Sequence, residues 1–121
     1  MFYTPPAGGA YVAPYETLNF LLSDAAGVLT TTLKIDTTNG AVVCNFSTIA
    51  VGRYEIDITG AAGVFGLMVS SGQRTGGISP DIGIIQQVTT TQLLLSVHDH
   101  ASGNYRQNWE HLNLTIHVKL T

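Results

Sequence analysis

The chain has almost none of the residues on which many small domains rely. Its 121 residues include a single cysteine, Cys44, so no intrachain disulfide can form, and the cross-linked framework of small secreted domains is excluded. Lying next to Val42 and Val43, this thiol reads as buried and inert. Charge is also scarce: Asp, Glu, Lys and Arg make up 11% of the chain, against roughly a quarter in ordinary soluble domains. The five basic residues, Lys34, Arg53, Arg74, Arg106 and Lys119, are scattered, and the net charge is -3. Such a chain has no basic face to follow a phosphate backbone, which excludes nucleic acid as a partner. No stretch approaches the roughly 20 consecutive apolar residues of a membrane helix, so no membrane partner is expected. Residues 1–9 lack the basic start and apolar centre of a signal peptide, so synthesis in a cytoplasm is expected, with a virion as a destination that needs no signal.

Catalytic motifs are missing too. There is no G-x-S-x-G elbow, and neither the segment at Gly52-Arg53-Tyr54 nor the glycine-rich residues 72–77 match a phosphate-binding loop. Glu16, Glu55, Glu110 and the five aspartates are expected at turns or on outer strand faces, where hydration and capping account for them. His98-Asp99-His100 has metal-ligand residue types. On a strand, however, the two imidazoles share one face and Asp99 opposes them, and a third ligand would have to come from His111 or His117. Solvent-facing or interface histidines are therefore the preferred reading, and a cupin-like metal enzyme using His98 and His100 is the weaker alternative. No enzyme activity and no cofactor are expected.

What the chain does have is β-pattern. Between Gly52 and Gly60, Tyr54, Ile56 and Ile58 alternate with Arg53, Glu55, Asp57 and Thr59, the period-2 signature of a strand with one buried face. Further strands are read at residues 17–22, 28–36, 41–49, 64–70, 82–88, 91–99 and 111–121, with 64–70 apolar enough to be buried on both sides. Asn39-Gly40 suits a type I′ turn, which predicts that residues 28–36 and 41–49 pair as a hairpin. About eight strands, with no convincing helix and regular turn signals, predict an all-β antiparallel sandwich of jelly-roll type. Residues 15–121 form that single domain, and residues 1–14, rich in Pro and Gly, form an extended arm.

Two aromatic groups stand outside this pattern. Phe2, Tyr3 and Tyr11 in the arm are candidate plugs for a neighbouring protein. Tyr105, Arg106 and Trp109, in the polar loop at residues 99–110, are candidates for a ligand or receptor surface. Trp109 is expected to fold back and cap the sandwich, leaving Tyr105 and Arg106 as the surface residues.

The segment from Phe46 through Gly52-x-Tyr54 to Ile58 resembles the Gly-x-Tyr strand of C1q and tumour-necrosis-factor-like jelly rolls. It is also similar to small β-domains of bacteriophage tail fibres, receptor-binding tips and capsid cement proteins. The strand at Gln92-Leu-Leu-Leu-Ser-Val-His-Asp, its polar loop and the final alternating strand resemble the carboxy-terminal hairpin of such phage domains. In place of the Phe-Ser-Gly signature of the C1q-like family, this chain reads Leu112-Asn113-Leu114-Thr115. The resemblance implies a homotrimer of side-by-side jelly rolls in a virion, where it decorates a capsid or tips a fibre and binds a viral coat or fibre protein. Binding of a cell-surface glycan or receptor through the Tyr105 loop is the alternative.

Overall fold

A computed structural model describes residues 15–74 and 80–120. The candidate arm, with Phe2, Tyr3 and Tyr11, lies outside the described residues. Nine strands follow in order: β1 (Glu16–Ala25), β2 (Val28–Asp36), β3 (Val43–Ala50), β4 (Arg53–Thr59), β5 (Ala61–Val69), β6 (Gly72–Arg74), β7 (Pro80–Thr89), β8 (Gln92–Asp99) and β9 (Trp109–Leu120). All pairings are antiparallel, in the order β2-β1-β9-β6-β7-β8-β4-β3, with β5 also hydrogen-bonded to β9. β9 is the organising strand: β1 lies along one edge, while β5 and the short β6 share the other. The sheet curls until its two ends approach, where Thr48 Oγ1 donates to the Gly27 carbonyl at 3.0 Å. The result is an all-β, sandwich-like fold close to a closed barrel.

Alternation decides what lies inside. Leu18, Phe20 and Leu22 of β1, Tyr54, Ile56 and Ile58 of β4, Leu93, Leu95 and Val97 of β8, and Leu112, Leu114, Ile116 and Val118 of β9 form one buried core. Each such side chain contributes roughly 1.5–3 kcal/mol when fully withdrawn from water. In β9 the backbone of His111 takes a positive φ of 60°. This breaks the period of two, so Trp109 and Leu112, three apart, are both buried.

The hairpin expected at Asn39-Gly40 does not form. Both residues have the positive φ that this pair favours, 53° and 83°, yet β2 pairs with β1 and β3 with β4. The Asp36 carboxylate accepts bonds from Thr38 N at 2.8 Å, Thr38 Oγ1 at 2.5 Å and Gly40 N at 3.0 Å. Those bonds, the Thr38 hydroxyl foremost, hold its pKa below the ordinary carboxylate value. The turn closes on Asp36 and sends the buried Val42 into the core, so it carries the chain from one end of the sheet to the other. An Asn-Gly turn pattern specifies a reversal, not which strands flank it.

β5 also departs from expectation. It starts at Ala61, and far from being buried on both sides it leaves Phe65 61% and Met68 58% exposed. With irregular register between Ala61 and Gly63 and between Val64 and Gly66, Ala61 sits in the core and Val64, Leu67 and Val69 pack partly buried against it. Phe65 lies against Tyr15, which in turn contacts His117. The ninth strand is the three-residue β6, within what reads from sequence as a glycine-rich loop.

Cys44 faces inward opposite Ile58. Burial, with the nearby Asp36 charge, pushes its thiol up to about 12, so at neutral pH almost no thiolate is present to react. Ellman's reagent at pH 8 is expected to label the native chain at least a hundredfold more slowly than the urea-unfolded chain. Equal rates would show that the thiol is open to solvent.

Candidate functional site

The loop of residues 100–108, after β8, meets the β1–β2 and β3–β4 turns at one end of the molecule. At its base sits a buried polar chain. Trp109 has no exposed surface; its Nε1 donates to the Tyr54 hydroxyl at 3.1 Å, and the two rings meet edge-on. Tyr54 donates in turn to Asp24 Oδ2. Asp24 Oδ1 accepts from Gly27 N at 2.9 Å and Asn108 N at 3.0 Å, so this buried carboxylate is fully partnered. Burial, and next the Asp24 hydrogen bond, pushes the Tyr54 phenol well above its ordinary pKa, which keeps it a donor. Trp109 therefore caps the core and is out of reach of any ligand, which removes it from the candidate surface.

Arg106 turns inward as well. It shares the buried Asp81 with Arg74: Arg106 Nε lies 3.9 Å and Arg74 Nη2 3.7 Å from Asp81 Oδ1, and Arg74 Nη2 donates to Asp99 Oδ2 at 2.9 Å. Asp81 and Asp99 are directly opposite in the β7–β8 register, a like-charge pairing that the two guanidinium groups offset. The Ala101 N–H foremost, with the Ser102 N–H and Arg74 adding to it, holds the Asp99 carboxyl below its usual range against the opposing effect of burial. This cluster ties β6, β7, β8 and the loop together around the buried Asp81, with both arginine side chains partly exposed. Sequence reading placed the acids at turns and outer faces; Asp24 and Asp81 are instead inside. The available signal was phase, because Asp24 continues the inward series Leu18, Phe20, Leu22, and Asp81 the series leading to Ile85.

Tyr105 is the most exposed of the loop candidates, with half of its surface open to solvent. It bridges to His98 beyond the end of β4, its ring tilts against the His98 imidazole, and the Arg53 guanidinium lies 5.5 Å from the ring centroid. Around it runs the outer face of β7, β8 and β4, set by the pairings in successive rows. Ile82 is beside His98, then Ile84 beside Ser96 and Arg53, Gln86 beside Leu94 and Glu55, and Thr89 beside Gln92 and Asp57. Gln92 Nε2 donates to both Glu55 (2.9 Å) and Asp57 (3.2 Å). Among the described residues, neither carboxylate has a cation within ion-pair distance, and neither does Arg53 have an anion.

The histidines do not converge. His98 packs against Tyr105, whereas the His100 ring meets the Pro80 carbonyl at 3.0 Å. Among the described residues, no group of three His, Cys, Asp or Glu side chains is placed to hold a metal ion. A shallow hollow of about 170 Å³ on the outer face of β1, β2 and β9 is lined by Ser23, Thr32, Glu110 and His111 among others. Its His111 faces Glu110 at 3.7 Å, and no hydrogen bond joins it to Ser23 among the described residues, so the nucleophile–base contact of a hydrolase is not made.

These features define an all-β antiparallel domain with apolar and mixed-charge outer strand faces and surface aromatic rings at Tyr105 and Phe65. No protein-family model, curated protein or solved structure matches the chain.

Proposed function

We propose that this chain is a non-enzymatic structural subunit, a β-knob that works by being buried in an assembly. The observation that carries the reading is apolar exposure on strands. Val28 is 68% exposed, and Leu33, Ile35, Val43 and Ile49 are each about half exposed on the two end strands β2 and β3, with Phe65 and Met68 on β5. End strands with unpaired backbone groups, a single charged side chain on β3 plus β2 beyond Asp36, and large aliphatic side chains are a liability for a lone domain and a resource for an interface. A standard contact withdraws roughly 800 Å² per partner.

The resemblance of the Gly52-x-Tyr54 strand to trimeric jelly rolls supports a threefold arrangement. Its resemblance to phage fibre and cement domains supports a virion setting, with a viral coat or fibre protein as the surface on which the knob docks. Light scattering coupled to size-exclusion chromatography tests the reading: a mass of three times the 12.9 kDa chain, or a multiple of that, is expected. A strict monomer at micromolar concentration would sink it.

A further inference from the structure

The outer face of β7, β8 and β4 is divided by charge along the strand direction. One half carries Arg53 and the Tyr105 hydroxyl; the other carries Glu55 and Asp57, adjacent on the same face of β4 and joined only through the Gln92 amide. Between and beside them lie Ile82 and Ile84, 39% and 43% exposed, and Leu94. Among the described residues, two carboxylates side by side have no cation within ion-pair distance and the guanidinium has no anion, which leaves each half in want of the other's chemistry.

Within one chain this cannot be met, because Arg53, Glu55 and Asp57 project in parallel from one strand at intervals of roughly 7 Å. A second copy meets it by symmetry. Consider a twofold axis lying in the plane of the face, across the strands and between the Arg53 and Glu55 rows. It reverses the strand direction, so the basic half of each copy lies over the acidic half of the other. Arg53 then faces Glu55 of the partner subunit and Tyr105 faces Asp57 of the partner subunit, each contact occurring twice, while Ile84 and Leu94 close the centre. A threefold axis along this face would stack like charges in rings, so the charge pattern selects the twofold arrangement.

We infer that this face is a twofold self-association surface: two copies pack β7-β8-β4 against β7-β8-β4 with Arg53 paired to the partner's Glu55. The inference rests on the reading of the chain as an assembling subunit, and adds a contact separate from any threefold packing through other faces.

The test uses the full chain and two charge reversals, Arg53→Glu and Glu55→Arg, with circular dichroism melts confirming that each variant folds. Wild type is expected to contain an even number of copies. Each variant alone places like charges at both contacts, and is expected to weaken the association at least about a hundredfold and halve the mass. Mixing the two variants in equal amounts restores both pairs with inverted sign, so the mass is expected to return to the wild-type value. That recovery is a result that misfolding cannot mimic. An odd-numbered oligomer unaffected by Arg53→Glu overturns this contact and leaves the structural-subunit reading standing; a monomeric wild type overturns both. Variants that lose the association separately but fail to regain it when mixed also overturn the pairing.

Discussion

Trp109→Ala is expected to lower the stability of this chain by about 3–5 kcal/mol, a large share of the roughly 5–15 kcal/mol that holds a domain of this size together. Trp109 is the largest fully buried side chain, so its removal opens a cavity between β1, β4 and β9. The loss does not stop at volume. Its Nε1 is the donor to the Tyr54 hydroxyl, and Tyr54 in turn satisfies Asp24, the carboxylate that ties Gly27 and Asn108 to the core. Urea denaturation would show a lower midpoint at an unchanged slope. Trp109→Phe keeps much of the volume and removes the N–H; it should fall between wild type and alanine. An alanine variant within about 1 kcal/mol of wild type would mean that the ring does not pack as described.

Gly52→Ala is the second large effect, and it arises from backbone, not from side-chain packing. Gly52 has φ of +66°, and a Cβ built there would lie 2.5 Å from the Val97 carbonyl oxygen and 2.7 Å from both the nitrogen and the carbonyl oxygen of Arg106. Those atoms are not free to yield. Val97 N donates to Gly52 O at 2.7 Å, and Arg106 N donates to Val97 O at 2.9 Å, so relief at one contact breaks another. The left-handed conformation alone costs an alanine about 1–2 kcal/mol. With the clash added, about 3 kcal/mol or more is expected, together with release of the Tyr105–Arg106 segment from the end of β8.

Gly40→Ala provides the internal comparison, because its φ is +83° but no atom lies within 4 Å of the added carbon. It should show the conformational cost without the clash. Equal losses at the two positions, measured by the same denaturation, would contradict the close approach of the 100–108 loop to Gly52.

Much of the fold is legible one strand at a time. The alternation of Tyr54, Ile56 and Ile58, and of Leu112 through Val118, is a local property of a pleated chain with one dry face, and needs no neighbour to be read. The bounds of β4 follow from the same pattern. Pairing is different. Asn39-Gly40 adopts the backbone its residue types favour, yet the strands on either side go to opposite ends of the sheet, because β2 takes its partner from β1 and β3 from β4, pairings that the turn residues do not encode.

The candidate surface divides in the same way. That Tyr105 and Arg106 sit in a polar loop is a matter of composition; that Arg106 turns in to Asp81 while Tyr105 stays out depends on where β7 and β8 bring two aspartates together. The bulge at His111, which buries Trp109, arises from three-dimensional packing that no local periodicity encodes. Arg53, Glu55 and Asp57 are assigned to one face by alternation alone. Only the placement of β7 and β8 beside them, with Ile82, Ile84, Leu94 and the Tyr105 ring on that same side, makes the face a divided docking surface. Local residue preference thus decides which way each side chain points on its own strand, and long-range pairing decides what stands next to it.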